Sequence, residues 1–77
     1  MSETTKKLIQ LAAKKFHVDA KTLRADDDFF RKLAINSIQA LELLSELEME
    51  FQIEVPDYEL QGVTTFGQLA AVIDRRR

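Results

Sequence analysis

Few side chains in this sequence are of types that do chemistry. They are Ser37 at the head of a helical stretch, the single histidine His17, and the acidic run Asp26, Asp27, Asp28. A serine nucleophile needs a base beside it and an acid to orient that base. His17 is the only histidine and no nucleophile-elbow pattern surrounds any serine, which argues against a hydrolase; His17 reads as a surface residue at the end of a helix. The three aspartates invite a calcium loop. Whichever of them begins the count, however, the glycine required at position 6 and the glutamate at position 12 are missing. They read as solvated loop or helix-capping acids. With no cysteine and one histidine, neither a zinc cluster nor a disulfide framework is available, so no catalytic residue and no metal ligand is expected, and packing must hold the chain together.

The elements that position Ser37 follow from periodicity and capping. Asn36 and Ser37 are both good N-cap types, and the stretch Ile38 to Phe51 is rich in Leu, Glu and Ala without Gly or Pro; this is the longest predicted helix. Before it, Leu8, Ile9, Ala12 and Phe16 fall at helical spacing, with Lys6, Lys7, Lys14 and Lys15 outside the stripe. From His17 to Asn36 the periodicity fades into a long connecting loop. Such a length in a compact chain needs pinning, and Phe29 or Phe30 is the expected pin. After Phe51, Ile53, Val55 and Pro56 break the helical pattern; Asp57 is expected to cap a short turn from Tyr58 to Leu60, which Gly62 ends. Thr65 and Gln68 make a capping box for a last helix whose inward stripe is Phe66, Leu69, Ala70 and Ile73. Gly67 should weaken that helix by about 1 kcal/mol relative to Ala. Arg75 to Arg77 suit the negative end of its dipole. The expectation is an all-α four-helix bundle, three main helices plus one short one, with a long loop between helices one and two, forming a single domain over residues 1–77.

Composition bounds the function. The chain has 77 residues, 45% hydrophobic and 31% charged, enough apolar content for one soluble core. No apolar run approaches the roughly 20 residues that span a bilayer, and the start of the sequence shows no apolar signal region, so a cytoplasmic protein without membrane insertion, and a monomer, is expected. The net charge of −2 hides a division. Residues 1–32 hold eight bases against five acids, a balance of +3, whereas residues 33–74 hold eight acids and no Lys or Arg, a balance of −8. The acidic stretch would repel phosphate backbones and draw in proteins with basic patches. Nucleic acid is therefore not an expected partner.

At 100° per residue, Ala40, Leu43, Leu44, Leu47 and Phe51 share the core side of the second helix, with Leu41 at its margin. Ile38, Glu42, Ser45 and Met49 form a separate strip, apolar and acidic by turns, which a core does not need. It reads either as scattered surface hydrophobes, ordinary on any protein, or as a docking surface. A helical adaptor or structural subunit acting through this strip alone, with no modification, is the alternative reading.

The run Leu33-Ala34-Ile35-Asn36-Ser37-Ile38-Gln39-Ala40-Leu41-Glu42-Leu43, followed by Leu47-Glu48-Met49-Glu50-Phe51-Gln52-Ile53-Glu54-Val55-Pro56-Asp57, resembles the attachment site and second helix of acyl carrier proteins. The resemblance extends to Asp28-Phe29-Phe30 before the site and Val63 to Leu69 after it, and so covers nearly the whole chain. It implies that Ser37 accepts 4'-phosphopantetheine from coenzyme A, transferred by a separate phosphopantetheinyl transferase, and that the thiol of this arm carries acyl chains as thioesters. The chain would then be a non-catalytic carrier in fatty-acid, polyketide or related specialised lipid biosynthesis. A phosphodiester at a helix start meets free N–H groups and the positive end of the dipole, which suits the modification. The resemblance also places Glu42 and Glu48, with Ile38, Glu50 and Glu54, on the surface that meets basic patches of acyl-processing enzymes. Leu41, Leu44, Leu47 and Ile73 would line a shelter for the acyl chain. The family pattern of Gly, any residue, Asp, Ser is Ala34, Ile35, Asn36, Ser37 here, and an acid often found two residues after the serine is Gln39. The neighbourhood of Ser37 is neutral, which points to a specialised carrier with its own partners.

Overall fold

The computed structural model describes residues 2–77. Four α-helices carry the fold: α1 (Glu3–Phe16), α2 (Phe29–Leu33), α3 (Ser37–Phe51) and α4 (Phe66–Arg76). Two single-turn 3-10 segments, Ala20–Thr22 and Asp57–Leu60, complete the regular structure, and among the described residues there is no strand. The all-α expectation of three long helices and a short one therefore holds, but the short α-helix is α2, and the stretch expected to form it, Tyr58 to Leu60, is a 3-10 turn.

Each long helix buries the face its spacing marks. Leu8, Ile9, Ala12 and Ala13 of α1 meet Phe66, Leu69, Ala70, Val72 and Ile73 of α4, and α3 adds Leu43, Leu44 and Leu47. Phe66, Leu8, Leu43, Leu47 and Ile73 are essentially inaccessible to solvent. Burying a side chain of this size contributes about 1.5–3 kcal/mol relative to exposure, so five such residues at one centre dominate the stability of so small a chain. The ends of the chain close on each other. The Thr4 hydroxyl donates to the Asp74 carboxylate and accepts from the Arg77 guanidinium at 2.9 Å.

Two local expectations need correction. The segment from His17 to Asn36 is not a structureless loop. Asp19 caps the Ala20–Thr22 turn through the Lys21 N–H, and Asp28 caps α2 through the Arg31 N–H at 3.2 Å. α2 escaped the sequence reading because five residues are too few to show a period. Phe29 is its pin, buried in the core, while Phe30 is half-buried. Backbone contacts fix the segment further: Phe29 N–H donates to Thr64 O at 2.9 Å, Phe66 N–H to Asp27 O at 3.3 Å and Gly67 N–H to Ala25 O at 2.7 Å, around an isolated antiparallel bridge between Asp28 and Thr65. Asp57, in turn, does not cap the turn that follows Pro56. It is the first residue inside that turn, and no side-chain capping bond forms there.

Gly67 has a role that propensity hides. A Cβ there would meet Ala25 O at 3.1 Å, so the glycine permits the close backbone contact that holds the long segment against α4. The arginines at the end of α4 also do more than complement a dipole. Arg75 and Arg76 reach Glu59 at 3.8 and 2.5 Å and tie the 3-10 turn to α4. The hydrogen bonds it donates, first to the Glu59 carboxylate and then to the Tyr58 hydroxyl, push the Arg76 guanidinium above its already high ordinary pKa.

Candidate functional site

Ser37 is the first residue of α3 and is exposed. Asn36 immediately before it is extended and caps the helix: its Oδ1 accepts the Gln39 N–H at 2.9 Å, and Gln39 Oε1 accepts the Asn36 N–H at 3.0 Å. Gln39, noticed in the sequence only as a missing acid, thus closes a reciprocal capping box. Thr65 and Gln68 have the same spacing and form the same box at the head of α4. The box leaves the Ser37 and Ile38 amides without a partner among the described residues. A hydroxyl therefore stands at the positive end of a 15-residue helix beside two free N–H donors, a setting that suits a phosphodiester.

Behind Ser37 an apolar cavity of about 230 Å³ opens between α2, α3 and the start of α4. Leu41 and Leu44 line it as expected, with Leu41 54% exposed at the mouth. Leu47 and Ile73 do not. Both are fully packed in the core, so their share of the expected lining falls to other residues. Phe29, Phe30, Leu60, Val63 and Leu69 supply it, from segments up to 40 residues apart in sequence whose convergence no local pattern records. Phe29 stacks at a tilt on Phe30, with centroids 4.7 Å apart, and lies 6.0 Å from Phe66.

The outer face of α3 carries Ile38, Glu42, Ser45 and Met49, all exposed, with Ile38 69% and Met49 78% accessible. The other acids of the helix are partly engaged elsewhere. Glu46 and Glu50 turn toward α1 and pair with Lys15 at 2.6 Å and Lys7 at 3.1 Å. The hydrogen bond that Lys15 donates to Glu46, helped by the charges of Glu46 and Glu42, raises the Lys15 pKa above its ordinary value. Glu48 is half-buried and accepts the Val55 N–H at 2.8 Å, folding the chain back after α3. It also joins Ser45, Met49 and Glu54 along a wide groove that ends at Arg76. Among the described residues, no cluster of His, Cys, Asp or Glu could hold a metal ion, and no helix is long and apolar enough to cross a membrane.

A short helix and loop feeding a serine at the head of a long acidic helix define a helical phosphopantetheine-attachment domain, and residues 6–73 match the family described as phosphopantetheine attachment site. The acyl carrier protein of Porphyromonas gingivalis ATCC 33277 is 32% identical over 75 residues, which is 97% of this chain and 96% of that protein. The acyl carrier protein of strain W83 of the same organism matches with the same figures. The chain belongs to the acyl carrier protein family, a family of non-catalytic carriers with covalently attached 4'-phosphopantetheine.

Proposed function

We propose that Ser37 holds the phosphopantetheine arm and that the chain carries acyl intermediates as thioesters in fatty-acid, polyketide or related specialised lipid biosynthesis. The observation that carries this reading is the exposed Ser37 hydroxyl, with two unpartnered amides beside it, at the edge of an apolar cavity. The arm supplies the thiol, in keeping with a sequence that has no cysteine. This chain's residues supply the rest. Asn36 and Gln39 fix the helix start, the Ser37 and Ile38 amides stabilise a phosphodiester, and Leu41 and Leu44 offer cargo an apolar refuge.

The reading extends to partners. A phosphopantetheinyl transferase and acyl-processing enzymes with basic patches would dock on Ile38, Glu42, Ser45 and Met49, with Glu48 and Glu54 at the groove end. Glu50 would take the smaller part because Lys7 already neutralises it. A flexible arm holds cargo at high effective concentration near a docked enzyme, so weak docking by a cytoplasmic monomer suffices.

The test is intact mass after incubation with coenzyme A, magnesium and a broad-specificity phosphopantetheinyl transferase. The expected result is one phosphopantetheine increment on the wild type and none on Ser37→Ala. An unmodified wild type, both there and when purified from its native cells, would replace this reading with that of a helical adaptor.

A further inference from the structure

The groove beside the C-terminal end of α3 is not uniformly acidic. Met49, Ile53, Val55 and Pro56 give it apolar lining, and Glu48 and Glu54 give it two carboxylates. It continues past Gln52, and Arg76 of α4 borders both stretches as the only base among the lining residues. Neither carboxylate pairs with Arg76. Glu54 is exposed with no ion-pair partner among the described residues, and Glu48 has one oxygen engaged by the Val55 N–H.

Arg76 is set in place but not used up. Its Nε donates to Glu59 at 2.5 Å and its Nη2 to the Tyr58 hydroxyl at 3.4 Å, so two of its five N–H donors are engaged and the rest stay open. Arg75 leans on the same carboxylate at 3.8 Å, so one acid answers two guanidiniums and positive charge is left over. The Arg76 side chain is 35% accessible. Arg77 turns elsewhere, onto the Phe51 ring and the Thr4 hydroxyl.

A partner that offered only bases to this groove would gain at Glu48 and Glu54 and meet a like charge at Arg76. A carboxylate arriving there meets a guanidinium already oriented, with little side-chain freedom left to lose. Deepening the docking reading above, on which its use by partner enzymes rests, we infer that Arg76 makes the groove selective. It takes a protein segment of mixed charge: a base for Glu48 and Glu54, an apolar anchor for Met49 and Ile53, and a carboxylate for Arg76.

Alanine-based helical peptides with a central leucine flanked by two lysines, by two glutamates, or by one of each in either order serve as probes. Binding is followed at the Met49 and Ile53 methyl resonances by NMR. On the wild type the better mixed peptide should bind about threefold more tightly than the two-lysine peptide, the scale of one exposed ion pair, despite its lower positive charge. Arg76→Glu should reverse that order. Glu59→Gln, which strips Arg76 of its own carboxylate, should widen it. A loosened 3-10 turn alone would weaken all the peptides together and leave the order unchanged in both variants. That result, equal affinities on the wild type, or no shift at Met49 and Ile53 overturns the inference. The peptides are read on the unloaded chain, so a failure of loading at Ser37 or of salt-dependent transferase docking counts against those readings alone.

Discussion

At Ser37 the decisive chemistry is what surrounds the hydroxyl. A carboxylate in the place of Asn36 would set a negative charge beside the site proposed to receive a phosphodiester; the amide caps α3 equally well and adds no charge. Replacing Asn36 with Ala removes the acceptor for the Gln39 N–H and frays the turn that presents Ser37. We expect a loss of about 1 kcal/mol in denaturant-measured stability, together with slower loading by the transferase. Asn36→Asp should keep the stability, so a loading rate changed in that variant isolates the effect of charge. His17 and the three aspartates show the other side of residue-scale reasoning. Asp28 caps α2 and Asp27 accepts the Arg24 N–H, so these two side chains serve local backbone, while Asp26 is exposed and His17 is the exposed, left-handed C-cap of α1.

Among the elements, the segment between α1 and α3 shows how far a pattern can be misread. Its helical turn is too short for periodicity, and its stability comes from partners 35 to 45 residues away. Gly67 belongs to this scale. Propensity alone predicts that Gly67→Ala stabilises α4 by up to about 1 kcal/mol. The contact with Ala25 O predicts the opposite, a net loss of about 1 kcal/mol as the clamp is pushed apart, read as a lower denaturation midpoint. The pairing of α1 with α3 is also testable. Because Glu46 raises the Lys15 pKa, the stability from that pair is fully present below the ordinary lysine pKa of 10.5 and is lost as pH rises through the higher folded value. The difference in melting temperature between wild type and Glu46→Gln should therefore stay level from pH 7 to 9 and shrink above pH 10.5.

Over the whole molecule, the charge division seen along the sequence becomes a division of roles. Lysines of α1 neutralise Glu46 and Glu50 from within, which leaves Glu42 and the apolar Ile38 and Met49 to face outward. Docking of a basic partner should then weaken with salt, since exposed charges are screened over about 10 Å at 0.1 M. Transferase kcat/KM measured from low to high salt checks this. Glu42→Lys should lower it several-fold at low salt and flatten the dependence, whereas Glu46→Gln should leave it close to wild type. Salt-independent kinetics would remove the electrostatic part of the docking proposal.

The sequence by itself determined the three long helices, their inward faces, both chain-end charge patterns and the position of Ser37 at a helix start, because those depend on spacing and capping within a few residues. Thr65 with Gln68 and the Leu43, Leu44, Leu47 stripe are read directly from such local order. Only the tertiary structure decided which residues line the cavity, which acids of α3 remain free, and why position 67 is a glycine. Each of these depends on segments far apart in the chain meeting in space, and the cavity wall of Phe29, Leu60, Val63 and Leu69 exists only once the Asp28 to Thr65 bridge has brought α2 against α4.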